Sequence, residues 1–186
     1  IKQWKMIMTW PKVLPGLGVG AVRLGERIAA MSNGMLEVKI YGAGELVPAF
    51  ECFDAVSKGH AEMAHCAPYY WLNKSKGAAF FCAVPGGMTA QELMAWVYFG
   101  GGQQLWDELY APFGIQSFMA GNTGVHMGGW FKKPLNSLED MKGLKMRIPG
   151  LAGEVINRLG GSSHTIPVSE VYNALQSGVI DAAEWV

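Results

Sequence analysis

Apolar and polar positions alternate at the start of the chain. Trp4, Met6, Met8 and Trp10 face one way against Lys5, Ile7 and Thr9, which predicts a half-buried strand over residues 2–10. Pro11 and Pro15 bracket a loop. From Leu17 the period changes: Leu17, Ala21, Leu24, Ile28 and Met31 recur at helical spacing, with Arg23, Glu26 and Arg27 on the other side. Asn33-Gly34 supplies a left-handed stop. Residues 35–41 alternate again and predict a second strand. Pro48 suits the first position of a helix through Val56, and residues 61–66 read as a short third strand. Strand, helix, strand, helix, strand implies a parallel or mixed sheet covered by helices.

The second half repeats the scheme less regularly. Residues 77–88 are apolar and glycine-rich without a clear period. Thr89 and Glu92 have the spacing of a capping box, opening a helix to about Phe99. Gly100-Gly101-Gly102 breaks it, and a further helix follows over 103–111. Residues 115–120 and 123–131 look extended, with Gly121-Asn122 as a crossing between two lobes. Leu144, Met146 and Ile148 alternate with Lys145 and Arg147, a strand that puts Arg147 on the polar face just before Pro149-Gly150. A helix over about 151–159 comes next. Ser169 is expected to cap a last helix to Gln176, stopped by Gly178. The chain also echoes itself: Ala55-Val-Ser-Lys-Gly-His-Ala-Glu-Met-Ala64 matches Ala174-Leu-Gln-Ser-Gly-Val-Ile-Asp-Ala-Ala183 in alanine, glycine, acid and alanine. Two lobes built alike around one cleft would produce this, with His65-Cys66 and Glu184-Trp185 at equivalent strand ends.

Composition narrows the function classes. Half of the 186 residues are hydrophobic, with 11 Met and 7 Trp, ample for a core, and the formal net charge is zero. No basic block exists, which argues against a nucleic-acid surface. No apolar run approaches the roughly 20 residues a membrane helix needs. The chain begins with Ile1, which suggests a mature or trimmed product whose targeting segment is gone. Cys52, Cys66 and Cys82 have no Cys-x-x-Cys spacing, so neither a disulfide framework nor a zinc knuckle follows. Buried thiols are the expectation, although one pair could form. His60, His65 and His164 lack metal-ligand spacing and read as structural. The strongest enzyme signal is Gly16-Leu-Gly-Val-Gly-Ala21, which follows a strand and opens a helix as a dinucleotide-binding loop does. An NAD-dependent oxidoreductase is therefore the alternative, although Pro11 and Pro15 stretch the connection beyond the tight turn such a loop needs.

Several long motifs, in order, resemble the substrate-binding proteins of tripartite ATP-independent periplasmic (TRAP) transporters. They are Gly-Glu-Leu-Val-Pro-Ala-Phe-Glu (44–51), Tyr-Tyr-Trp (69–71), Gly-Met-Thr-Ala-Gln-Glu (87–92), Gly-Asn-Thr-Gly-Val (121–125), Arg-Ile-Pro-Gly-Leu-Ala-Gly-Glu-Val (147–155) and Ala-Leu-Gln-Ser-Gly-Val-Ile-Asp-Ala-Ala-Glu-Trp (174–185). The resemblance is greatest to the branch that takes up 2-oxo acids and related monocarboxylates with a cation. It implies an α/β, two-lobe, type II periplasmic binding fold without enzymatic chemistry. Lobe I would span 1–122 and a partial lobe II 123–186, with a second crossing near 184–186. Family members continue for roughly a further hundred residues, far above loop size, so the resemblance implies a chain truncated at its C-terminus. The expected location is the periplasm. The expected partners are a small organic acid and the transporter's membrane subunits, and there is room for a homodimer.

The same resemblance assigns residues. Arg147 would anchor the ligand carboxylate, a role suited to a guanidinium, which is always charged and forks parallel donors. Arg147→Ala should then abolish binding with little change in stability. A guanidinium pointing into solvent, or spent on a permanent internal acid partner, would overturn the transport reading as a whole. Tyr69 and Tyr70 would form an aromatic wall with one hydroxyl on the ligand, and Asn122 would donate at the crossing. Glu184 and the Trp185 carbonyl resemble oxygen ligands for Na⁺ or Ca²⁺ bridging to the acid. His126 stands where the resemblance implies a glutamine. Its imidazole suits Na⁺ or Ca²⁺ poorly, so it is expected either at the cation or on the ligand itself, making binding pH-dependent.

Overall fold

A computed structural model describes residues 1–185; Val186, the last residue of the expected second crossing, lies outside the described residues. The chain divides into two compact units, residues 1–67 with 110–121, and residues 68–109 with the chain from 122 onward.

The first unit is built on a parallel sheet. β1 (Lys2–Met8) lies between β2 (Leu36–Tyr41) and β3 (Met63–His65). Its middle position explains why Met6, Ile7 and Met8 are all buried in succession: a strand covered on both faces needs apolar residues on both. α1 (Leu17–Met31) runs between β1 and β2, and α2 (Cys52–Ser57) runs between β2 and β3. A 3₁₀ turn, Ala49–Glu51, precedes α2, so Pro48 lies just before that turn and is not the first residue of the α-helix.

The glycines of the 16–21 motif have a packing role. A Cβ at Gly18 would overlap the Pro11 and Lys12 carbonyls, so the helix rests directly on the loop. The amides of Leu17, Gly18 and Val19 donate to the carbonyls of Pro15, Leu14 and Leu14 at 2.9, 3.0 and 3.2 Å. The opening amides of α1 are thus taken by the chain's own loop, and none is left to cradle a pyrophosphate.

The second unit carries a four-stranded sheet in the order β4 (Trp130–Phe131), β7 (Ala182–Ala183), β5 (Lys145–Arg147), β6 (Ser162–His164). β5 runs parallel to β6 and β7, while β4 runs antiparallel to β7. α5 (Gly150–Arg158) joins β5 to β6, and α6 (Val168–Ser177) joins β6 to β7. Met146, Ile148, Ile156 and Ala182 form the core, with Phe131, Met141, Leu144 and Ala152 packed against it. The segment 68–109, expected beside 1–67, packs in this unit because its 3₁₀ turn Pro68–Trp71 sits on the start of α5. It contributes α3 (Ala90–Phe99), α4 (Gly102–Tyr110) and a stack of Phe81 between Trp96 and Trp106, with centroids 5.4 and 5.0 Å apart. Thr89 and Glu92 form the reciprocal capping box their spacing predicts.

Ser169, expected as a cap, lies inside α6, where Pro167 takes the capping position and no side chain caps the helix. The alternation that put Arg147 on a polar side does not separate buried from exposed positions, since Met146 and Arg147 are both buried. Of residues 115–131, which look extended in the sequence, only Trp130–Phe131 pair as a strand.

The echo in the sequence corresponds to repeated topology. In each unit a helix ends at a left-handed glycine, Gly59 or Gly178, and leads into a strand added parallel to the unit's inner strand.

Candidate functional site

The C-terminal end of β5 gathers most of the expected site. β5 and β7 are locked in register there. Asp181 N donates to Lys145 O at 2.7 Å, Lys145 N donates to Asp181 Oδ2 at 3.2 Å, and Glu184 N donates to Arg147 O at 2.9 Å. This ladder carries Glu184 to a fixed position beside Arg147. The 3₁₀ turn Pro68–Trp71 brings Tyr69 and Tyr70 to the same place. Gly150 makes that approach possible: at φ +71° it adopts a conformation L side chains resist, and a Cβ there would lie 2.9 Å from Tyr69 Cβ.

Arg147 is 0 % exposed. Its Nε donates to Ile166 O at 3.1 Å, Nη1 donates to Glu184 O at 2.9 Å and to Glu184 Oε2 at 3.2 Å, and Nη2 donates to Tyr70 Oη at 3.2 Å. The guanidinium carbon lies 5.0 Å from the centre of the Trp185 ring, within cation–π range. A guanidinium has five N–H donors. Four are used, and the fifth, on Nη2, has no partner among the described residues.

Glu184 is therefore the internal acid that was to count against the transport reading. Burial explains the pairing without consuming the fork. A guanidinium fully removed from water needs a compensating charge whether or not a ligand is present. Glu184 supplies it on the Nη1 side and leaves the Nη2 edge beside Tyr70 for a second anion.

Glu184 is held from both sides, since His126 Nδ1 lies 3.0 Å from Oε1 while Arg147 takes Oε2. His126 Nε2 in turn lies 2.8 Å from Thr123 Oγ1. Both imidazole nitrogens are thus engaged, and in this geometry neither presents a lone pair to a metal. Burial raises the Tyr69 hydroxyl far above its ordinary range, with Tyr70 and Cys82 adding to the effect. Burial raises Tyr70 as well, outweighing the opposing influence of Arg147. Both phenols keep their protons at neutral pH and can act as hydrogen-bond donors.

Asn122 does not join this cluster. Its Oδ1 accepts from Gly124 N at 2.7 Å, closing a turn in its own loop. Two members were not anticipated. The Ile166 carbonyl carries no side-chain signal. Thr123 was visible only as part of the Gly-Asn-Thr-Gly-Val motif.

The donor set can be tested against a cation. Among the described residues no three His, Cys, Asp or Glu side chains gather as a metal group. Glu184 offers two hard oxygens at 12 % side-chain exposure, each accepting one N–H and retaining lone-pair capacity. This fits a hard cation shared with an oxygen-bearing ligand, since Na⁺ and Ca²⁺ accept main-chain and ligand oxygens beside a single carboxylate.

Comparison with known proteins agrees with this chemistry. The monocarboxylate 2-oxoacid-binding periplasmic protein all3028 of Nostoc sp. is 48 % identical over 99 % of this chain and 50 % of its own length. The crystal structure of a TRAP periplasmic solute-binding protein from Pseudoalteromonas atlantica, with bound sodium and pyruvate, superposes with a TM-score of 0.97 at 47 % identity, covering 100 % of this chain and 56 % of that one. A TRAP transporter solute-binding protein from Bordetella bronchiseptica, a mixed-occupancy dimer with calcium and picolinate at its active site, matches with a TM-score of 0.97 at 38 % identity, covering 100 % of this chain and 55 % of that one. The chain thus spans about half the length of the relatives it matches. The model of the DctP family, bacterial extracellular solute-binding protein family 7, matches residues 15–186. The chain belongs to that family, whose members bind solutes and are not enzymes.

Proposed function

We propose that the protein captures a small 2-oxo or 2-hydroxy monocarboxylate in the periplasm, with Na⁺ or Ca²⁺, and delivers it to the membrane subunits of a TRAP transporter. The observation that carries this reading is the buried Arg147, charge-compensated by Glu184 on one side and holding an uncommitted Nη2–H beside Tyr70 on the other. A carboxylate entering there accepts that donor and a tyrosine O–H, and Tyr69 backs Tyr70. The new anion would lie close to Glu184. A cation on Glu184 and the Trp185 carbonyl would offset that repulsion and accept the 2-oxo oxygen. His126 then acts by orienting Glu184. The relatives with sodium and pyruvate, or with calcium and picolinate, support this pairing of acid and cation. The dimeric neighbour supports a homodimer as a further partner state.

Titration of tryptophan fluorescence with pyruvate, in buffers with and without Na⁺ or Ca²⁺, tests the reading. Saturable one-site binding that strengthens with the cation is expected, and Glu184→Gln should weaken that dependence. Saturable NADH binding with no response to any 2-oxo acid would reverse the assignment.

A further inference from the structure

The Gly-Asn-Thr-Gly-Val stretch (121–125) reaches the Arg147 cluster only through Thr123, by way of His126. Asn122 Oδ1 caps Gly124 N at 2.7 Å, and Gly124 turns the chain at φ +79°. The result folds Thr123 back over its own turn, so that Thr123 Oγ1 lies 2.8 Å from His126 Nε2. The opposite ring nitrogen, Nδ1, lies 3.0 Å from Glu184 Oε1.

The proton positions follow from what each atom can do. Oε2 of Glu184 accepts from the Arg147 guanidinium, and a carboxylate offers only acceptors. Nδ1 must then carry a hydrogen, since a bare lone pair facing Oε1 at 3.0 Å would be repulsive. In the neutral ring Nε2 is consequently an acceptor, and a hydroxyl can satisfy it. The hydrogen bond made at one imidazole nitrogen sets the tautomer at the other.

We propose that Thr123 is a positioning residue that holds the His126 ring, whose Nδ1–H tautomer Glu184 sets, and through it the orientation of Glu184 between Arg147 and the ligand. Thr123 Oγ1–H donates to Nε2, Nδ1–H donates to Oε1, and Arg147 Nη1–H donates to Oε2. Each oxygen of Glu184 is thereby held by one donor, and the carboxylate plane cannot swing toward the Nη2 edge where the acid would sit. The effect on ligand affinity rests on the proposed function, but the effect on the ring contact at Nε2 does not.

The test compares the parent with Thr123→Val, which keeps the shape and loses the hydroxyl, and with Thr123→Ser, which keeps the hydroxyl. In unliganded protein, nitrogen-15 shifts of the His126 ring report the tautomer and the hydrogen bond at Nε2 directly. All three proteins should show Nδ1–H, while Thr123→Val alone should show its Nε2 resonance displaced from the position shared by the parent and Thr123→Ser. Pyruvate affinity should fall by about twofold to tenfold in Thr123→Val, the range of one ordinary hydrogen bond, and should recover in Thr123→Ser. Loss of the hydroxyl with an unchanged Nε2 shift refutes the role of Thr123. A parent that binds no 2-oxo acid refutes the proposed function, while the ring shifts still decide the contact at Nε2. Thr123 is exposed, so the variants should melt as the parent does. A Thr123→Val that melts early while its ring shifts stay those of the parent assigns Thr123 to loop stability and overturns the proposal.

Discussion

Replacing Arg147 should unfold the protein more readily as well as remove a ligand anchor. Arg147→Met deletes four hydrogen bonds, to Ile166 O, Glu184 O, Glu184 Oε2 and Tyr70 Oη. It leaves Glu184 charged at 12 % side-chain exposure, with His126 as its remaining partner. Breaking a buried pair from one side costs about 3–5 kcal/mol, and the partial exposure of Glu184 favours the lower end. That is a large share of the roughly 5–15 kcal/mol that holds a domain together. The sequence-based expectation of little change in stability is therefore corrected by burial. Glu184→Gln alone should cost roughly 1.5–3 kcal/mol, the value of one charge-assisted hydrogen bond. The double variant removes both charges, so the losses should not add. A coupling energy of about 1.5–3 kcal/mol is expected from a double-mutant cycle in guanidinium chloride, followed by tryptophan fluorescence. A cycle that closes additively to within about 0.5 kcal/mol, or an Arg147→Met variant that loses under about 1 kcal/mol where a broken buried pair should cost several, would refute the argument. The double variant, if folded, also separates the two roles of Arg147: it should fail to bind pyruvate although it no longer carries an unpaired charge.

Gly150→Ala should destabilise by roughly 1–3 kcal/mol, the usual cost of a side chain in a left-handed conformation, and should weaken pyruvate binding by displacing Tyr69. Chemical denaturation and ligand titration check the two effects, and unchanged binding would detach Tyr69 from the site. His65 has its pKa lowered from 6.5 by burial, so the unfolded chain takes up a proton before the folded one. Stability should be at its full value above pH 6.5, fall as pH drops below it, and level off beneath the folded-state value. Melting curves between pH 7 and 5.5, above the range where carboxylates titrate, should show this slope, and His65→Gln should flatten it; an equal slope in both assigns the effect elsewhere. Burial raises the Cys52 thiol to about 12, with Cys66 adding to it, so iodoacetamide should modify Cys52 only in denaturant. Mass spectrometry of the native protein showing early alkylation at Cys52 would contradict its burial.

Periodicity made the local elements readable and left their surroundings unread. β1, β2 and α1 follow from apolar spacing, and the start of α3 follows from Thr89 and Glu92, because these signals sit within one or two turns of chain. The alternation around Arg147 correctly identified a strand and put Arg147 on its polar side, and the structure buries that side. Period two says which residues share a face; it does not say whether that face is covered. Residues 115–120 and 123–131 look extended, and extended chain becomes a strand only where a neighbour offers hydrogen bonds; among them only Trp130–Phe131 find one. Arg147, Tyr69, Tyr70, Glu184 and His126 were named through family resemblance, and the fold brings all five to one place. Their spacing alone would not have predicted this, because the segments that meet there start 77 residues apart at Tyr70 and Arg147.

The place of β1 in its sheet bears on how the chain reaches its native form. Lys2 pairs with Leu36, and Met6 with Met63, so the stretch emerging early from the ribosome is flanked by two that emerge later. Its run of Met6, Ile7 and Met8 stays without shelter until both neighbours arrive, and every such pairing closes a long loop. Folding of the first unit should therefore be slow and sensitive to chaperone holding, and mutations that weaken β3 should slow folding as much as those in β1 itself.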